Sequence, residues 1–287
     1  MITKIDNQNI ICFRDNEKAT NKAIFIIRTK HTKTSIQIIV ICDMEPPANN
    51  ADYREQDYWD TRYQTEEKYD WFSAYSSFRH HLVNDVKPDH KILMLGCGNS
   101  SLSEEMYNDG YKHITNIDFS PIVIEKMRSK HSDLHEMTWE VMDICDLRYE
   151  PSTYDIVLEK GTLDALMVHE KDPWNTSTET LQKIDGILQQ ISRILKTGGK
   201  FISITFAQPH FRKPLYACDK FNWNMNISTF GNSFHFFYFM MEKGKQLSEK
   251  DRMNEIERQK RKQDIRTEKV EFMKYEDKED FIFGIDL

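Results

Sequence analysis

The sequence predicts an α/β domain, doubly wound around a mostly parallel sheet. Three observations carry that prediction. Short apolar runs that stop at Gly or Asp alternate with longer helical stretches, the strand–helix order repeats, and the last two strand-like runs lie close enough for an antiparallel hairpin. Residues 91–95 are an apolar run halted by Gly96, a buried-strand pattern, and residues 100–110 follow as a helix with Gly110 as its stop. Residues 113–117 form the next strand, and Ser120-Pro121 opens a helix with Pro at its first position. Residues 138–142, 156–158 and 200–205 supply three more strands. A helix over 181–195 runs into Lys196-Thr197-Gly198-Gly199, and residues 222–228 and 234–241 make the hairpin that brings the sheet to seven strands. Strands this apolar expect helices on both faces.

Outside this core the composition changes twice. Residues 1–50 read as a basic, isoleucine-rich leader and linker: positions 1–43 hold seven Lys/Arg against four Asp/Glu, with strand-like runs at 23–27 and 36–41. Only two of those basic residues are arginines, which fits a mitochondrial presequence poorly; an initiator at Met44 is the competing reading. The domain proper is expected over 51–247 and a charged helical or disordered tail over 248–287, with residues 281–285 apolar again.

Of the 287 residues 39% are apolar, 12% aromatic and 30% charged, with 39 basic against 46 acidic. The aromatic supply argues against wholesale disorder, and no run approaches the roughly 20 apolar residues of a membrane span. A net charge of −7 is the wrong sign for a protein whose main partner is nucleic acid. Five scattered cysteines, none at zinc-ligand or redox spacing, suit a reduced, cytoplasmic setting and predict no metal site.

In doubly wound sheets ligands bind beyond the carboxyl ends of the strands. Gly96-Cys97-Gly98-Asn99-Ser100 follows the first strand, where glycines allow a tight turn and close approach of backbone to a ligand. Asp118 ends the second strand 22 residues after Gly96, the place from which a carboxylate reaches a ribose diol. A dinucleotide site wants a third glycine where this chain has Ser101. Asp143 ends the third strand with Ile144 behind it, so an acid can accept from an adenine amino group while an apolar neighbour covers the ring. That set favours an adenosine without phosphates, S-adenosylmethionine, over NAD(P). Trp59 and Tyr63, four apart, share a helix face and read either as core or as a lid with cation–π attraction to the sulfonium. The fourth strand ends in Glu159-Lys160-Gly161-Thr162-Leu163-Asp164, beside the reactive end of such a ligand.

These motifs, with Tyr58-Trp59-Asp60-Thr61-Arg62-Tyr63, Asp172-Pro173-Trp174, Pro209-His210-Phe211-Arg212 and Gly231-Asn232-Ser233-Phe234-His235, resemble the class I S-adenosylmethionine-dependent protein lysine methyltransferases, in particular those acting on translation elongation factor 1-alpha. The resemblance spans roughly residues 53–247. It implies a Rossmann-like fold and cofactor contacts from Trp59, Tyr63, Trp71, Gly96, Asp118, Phe119, Asp143, Ile144 and Lys160, with Glu159 through Asp164 needed for activity. It also implies that elongation factor 1-alpha is the protein substrate. Two rivals follow: a sister enzyme acting on another protein, of the mitochondrial citrate synthase kind, and an inactive cofactor-binding scaffold. Within the active reading, Glu159 or Asp164 orients the substrate amine and Lys160 anchors the cofactor's carboxylate.

Overall fold

The structure is a computed structural model that describes residues 3–4, 10–14, 23–27, 47, 49–170, 176–231 and 235–261. Near the start, β1 (Thr3–Lys4), β2 (Ile10–Arg14) and β3 (Ala23–Ile27) pair as a small antiparallel sheet. The expected strand at 36–41, the motif at 172–174, residues 232–234 and positions 262–287 lie outside the described residues.

The main sheet contains β4 (Ile92–Leu95), β5 (Ile114–Asp118), β6 (Thr138–Val141), β7 (Tyr154–Lys160), β8 (Leu195–Thr205), β9 (Asn226–Phe230) and β10 (Phe236–Glu242). Their order is β6-β5-β4-β7-β8-β10-β9, and β10 runs antiparallel to both β8 and β9. The seven-stranded, mostly parallel sheet with a terminal hairpin is thus the architecture expected.

Alternation along the strands builds two cores. Ile92 and Met94 of β4 face one side, with Ile156, Leu158, Ile202 and Ile204. Leu93 and Leu95 face the other, with Val157, Phe201 and Phe239. The first side is covered by α1 (Gln56–Thr65), α2 (Arg79–Asp85), α3 (Leu102–Asn108) and α4 (Pro121–Lys130), which contribute Trp59, Leu82, Met106 and Val123 among others. The second side takes α5 (Thr162–Met167), α6 (Thr178–Ile194) and α7 (Pro209–Tyr216). In α6, Ile184, Ile187, Leu188, Ile191 and Ile194 recur at helical spacing and all are buried. Ser120 and Ser177 cap α4 and α6 by accepting N–H groups from Val123 and Thr180.

Two boundaries moved for identifiable reasons. β8 begins at Leu195, the residue that ends α6, and the Lys196–Gly199 segment forms an irregularity against β7: Tyr154 pairs with Leu195 but Ile156 with Lys200. At Gly199 a Cβ would lie 2.9 Å from the Asp155 carbonyl oxygen, so the close approach admits only glycine. β9 starts at Asn226 rather than 222, because Asn222 takes a left-handed conformation (φ 54°) and Trp223 is buried as a core anchor, donating its Nε1–H to the Tyr216 carbonyl.

Residues 249–261 are helical (α8). Of the tail expected to be an exposed charged helix or disordered, residues 249–261 are a helix, and it docks by its charged face. Asp251 and Glu255 are buried, while Met253 and Ile256 are exposed. Lys213 pairs with Asp251 at 3.2 Å, Glu255 accepts the Asp219 N–H at 2.9 Å, and Arg258 donates to the Ala217 carbonyl.

Candidate active site

At the carboxyl edge of the sheet, the chain leaves β4 through two left-handed glycines, Gly96 (φ 57°) and Gly98 (φ 51°). A Cβ on Gly96 would sit 2.5 Å from the Thr162 side chain, and one on Gly98 would sit 2.9 Å from the Tyr63 hydroxyl. The turn is therefore shaped by its neighbours as much as by its own φ values. Asp118, buried at the end of β5, accepts the Gly98 N–H through Oδ2 and the Ser120 N–H through Oδ1, both at 3.0 Å. Burial pushes its carboxyl up to about 6, with the nearby Asp60 adding to the rise. Asp143, beyond β6, is exposed and accepts the Cys145 N–H at 2.8 Å, and Ile144 behind it is buried.

A second layer holds this loop from outside. Asn99 donates to the backbone oxygen and the carboxylate of Glu66, which in turn accepts from Arg62 at 2.7 Å. Asp70 accepts from the hydroxyls of Ser100 (2.5 Å) and Ser101 (2.9 Å) and from the Ser101 N–H. Burial would raise the Asp70 carboxyl, but the hydrogen bond from Ser100, the charge of Lys160 and the hydrogen bond from Ser101 outweigh it and hold the group below its ordinary value. Trp59 and Tyr63 stack on α1 at 5.5 Å, and Trp59 donates to the Tyr53 carbonyl. Within the protein the cation over the aromatic cluster is Arg62, 5.0 Å from the Tyr69 ring, 5.6 Å from Trp59 and 5.7 Å from Trp71. Trp59 and Tyr63 are buried core residues, and they also line the cavity described below.

At the end of β7, Glu159 and Asp164 point to different places. Glu159 is fully buried; its Oε2 accepts the N–H groups of Thr162 (3.0 Å) and Leu163 (3.3 Å), and its Oε1 accepts the Ser203 hydroxyl. It serves as the cap that the left-handed Gly161 (φ 81°) cannot provide for α5. Burial, reinforced by Asp164, raises its carboxyl. Leu163 packs into the core beside Ile184 and Leu188. Thr162 donates to the Leu95 carbonyl at 2.9 Å, tying α5 to the end of β4. Lys160, almost wholly buried, donates to the Trp71 carbonyl at 2.8 Å and lies 3.8 Å from Asp70. Burial lowers its ammonium to about 8, against the pull of Asp70.

Asp164 is different. Its Oδ1 accepts from Thr205 Oγ1 and from Arg212 Nη2, each at 2.7 Å. Its Oδ2 is buried and, among the described residues, has no hydrogen-bond partner. A buried carboxylate oxygen in that state demands a donor.

One cavity joins these groups. Its volume is about 1190 Å³ counting the part open to solvent, ample for a ligand of cofactor size. Trp59, Tyr63, Trp71, Gly96, Asp118, Phe119, Asp143, Ile144, Lys160, Gly161, Thr162 and Asp164 line it; Glu159 and Leu163 do not. Residues to which the sequence analysis gave no role are Glu66 and Asp70, which brace the loop, and Phe72 and Phe206 on the wall; Asn99, which also braces the loop, and Arg212, which pairs with Asp164, lay inside the quoted motifs without a role of their own. Asp70 and Phe72 flank Trp71 in the aromatic run Tyr69-Asp70-Trp71-Phe72, the local signal that could have found them.

The donor set fits an adenosine carrying a positive centre. The glycine cradle leaves room for a ligand against backbone, each Asp118 oxygen has a lone pair beyond its one N–H bond, and the carboxylates of Asp118, Asp143 and Asp164 suit a cation. Among the described residues no His, Cys, Asp and Glu gather as metal ligands, and no helix is long and apolar enough to cross a membrane.

Residues 86–274 match the family described as a methyltransferase domain. EEF1A lysine methyltransferase 4 of Bos taurus is 43% identical over 207 residues, covering 71% of this chain and 81% of the relative. The Mus musculus protein of the same name is 42% identical over an equal length and equal shares. Among solved structures, the methyltransferase in complex with the Haloferax volcanii Trm112 methyltransferase activator shares the fold, with a TM-score of 0.50 at 14% identity over 68% of this chain and 98% of that one.

Proposed function

The chain belongs to the methyltransferase domain family, as an S-adenosylmethionine-dependent enzyme, and from that premise we propose that it methylates a lysine of translation elongation factor 1-alpha in the cytoplasm. The observation that carries this reading is the single cavity in which the glycine cradle and Asp118 share space with the unpartnered Asp164 Oδ2. The named relatives add the substrate.

Bound S-adenosylmethionine supplies an electrophilic methyl group on a positively charged sulfur, and the substrate amine takes it as the sulfur leaves as a neutral thioether. Asp118 would accept hydrogen bonds from the ribose hydroxyls and Asp143 one from the adenine amino group, Ile144 and Phe119 would supply apolar contact, and Lys160 would hold the carboxylate end. Gly96 and Gly98 let backbone approach the ligand, and Trp59, Tyr63 and Trp71 close the cavity over it. Transfer is an in-line displacement, so alignment supplies most of the acceleration. The amine must be neutral although lysine titrates near 10.4 in water; burial and the neighbouring positive charge lower it. Asp164 Oδ2 then accepts a hydrogen bond from an N–H of that neutral amine and fixes the direction of its lone pair; the methylated ammonium that forms gives up its extra proton to solvent after release. Glu159 keeps Asp164 in place by capping α5 and does not itself meet substrate.

The test is direct. Recombinant enzyme with labelled S-adenosylmethionine and purified elongation factor 1-alpha should place label on one or more lysines. Label in a small metabolite or in nucleic acid instead of protein would overturn the reading.

A further inference from the structure

Phe72 has a φ of 67°, and of the three described non-glycine residues with positive φ it alone lines the cavity. A bulky residue holds that conformation only where its surroundings over-determine it, and such strain concentrates at working sites. Its surroundings are visible. The ring packs on Gly161 so closely that a Cβ there would lie 3.0 Å from it. It meets Phe206 edge to face at 5.2 Å and is backed by Phe236 at 6.0 Å, nearly parallel.

The position along the sheet says which part of the ligand this wall serves. Asp143 and Asp118 follow β6 and β5, on one side of β4, whereas Gly161 follows β7 and Phe206 follows β8, on the other side. The wall is therefore at the end away from the two carboxylates suited to a nucleoside. Thr205, immediately before Phe206, bonds to Asp164 Oδ1, so the aromatic pair is anchored to the same carboxylate whose Oδ2 is buried and unpartnered.

We propose that Phe72 and Phe206, packed edge to face, form a continuous apolar wall, one side of a sleeve along which the aliphatic stem of the substrate lysine lies, and thereby set specificity for a long, unbranched amine over a chain-terminal α-amine. An apolar wall leading to an anionic oxygen is the complement of a side chain with an apolar stem and a polar tip. An α-amine sits directly on the main chain and has no stem to lay along the rings. The strained turn at Phe72 is what carries its ring across Gly161 to face Phe206. This proposal rests on the lysine reading above.

The test uses the full chain with elongation factor 1-alpha and, separately, with peptides offering either a lysine or a free N-terminus. Phe206→Ala and Phe72→Ala should each raise KM for the lysine substrate about tenfold, as loss of two or more buried methylene contacts would, while calorimetric affinity for S-adenosylhomocysteine stays within about twofold. Retained cofactor affinity also reports that the variants are folded, and Phe72→Leu, which keeps an apolar wall, should restore part of the lost KM. Selectivity for lysine over the α-amine should fall in both alanine variants. If wild type methylates lysine and both alanine variants do so with unchanged KM and selectivity, the sleeve is wrong and the lysine reading stands. If cofactor affinity falls as much as substrate affinity in Phe206→Ala, the rings belong to the cofactor end and the proposal fails. If wild type methylates no lysine, the proposed function fails and the sleeve with it.

Discussion

Asp118 and Asp164 are both buried carboxylates lining one cavity, yet they are held in opposite ways. Each oxygen of Asp118 already accepts a backbone N–H, from Gly98 and from Ser120, and the loop it braces is itself clamped by Asn99–Glu66 and by Asp70 with two serines. Asp164 places both of its partners, Thr205 and Arg212, on Oδ1 and leaves Oδ2 without any. The end proposed for the cofactor is thus held by backbone hydrogen bonds within the protein itself. The β7–β8 end leaves a buried acceptor that no protein donor among the described residues satisfies and that a donor entering the cavity can meet; a buried acceptor left unmet costs roughly 1–3 kcal/mol. Such a division suits an enzyme that must hold one partner in a fixed pose and admit a second from outside.

The sharpest way to break this comparison is at Gly96. Gly96→Ala forces an L side chain into φ 57° and a Cβ 2.5 Å from Thr162. With strain of about 1–3 kcal/mol plus the clash, affinity for S-adenosylmethionine should drop roughly 100-fold or more by calorimetry. Normal binding would mean that the cradle is not the cofactor end.

Next in size is Asp164→Asn. It keeps shape but removes the charge, and kcat should fall about 100-fold through lost alignment while cofactor affinity is held. A fall in cofactor affinity with unchanged kcat would reverse the assignment of the two ends.

The two ends also differ in titration. Protonation of Asp118 below about 6 removes its charge, so cofactor affinity should weaken as pH falls through that value. Deprotonation of Lys160 above about 8 removes the charge proposed to anchor the carboxylate, so affinity should weaken again as pH rises through it. Binding measured across pH should therefore be bell-shaped, about tenfold per unit on the acid side, and Asp118→Asn should abolish the acid limb alone.

The smallest effect is a control far from both ends. Glu255→Ala removes the acceptor for the Asp219 N–H where α8 docks. A loss of about 1 kcal/mol should lower Tm by roughly 2–4 °C with kcat unchanged. A large drop in activity would show that α8 controls the site through α7, which carries both Arg212 and Lys213.

Much of this site could be read in advance because its signals are local. A glycine pair after a buried strand, an acid at the end of the next and a second acid at the end of the third are all placed by strand periodicity alone. The readings that changed concern side-chain direction. Glu159 and Asp164 are five apart, and nothing in their spacing says that one turns inward to Ser203 and α5 while the other faces the cavity. Nor does the spacing of the aromatic residues around Trp59 show that Arg62 of the same helix lies over their rings. The tail's charges suggested a solvated helix, because sequence does not show that residues 213–219 present matching partners.

By itself, then, the sequence determined the alternation of strands and helices, the seven-stranded sheet and which loops gather at its carboxyl edge, since apolar period and glycine placement are properties of neighbouring residues. Only the tertiary structure decided which oxygen of Asp164 stays unpartnered, why Phe72 holds a left-handed turn, and where β8 and β9 begin. Those depend on Arg212, Phe206, Asp155 and Tyr216, residues distant in the chain that become neighbours only when the sheet has closed.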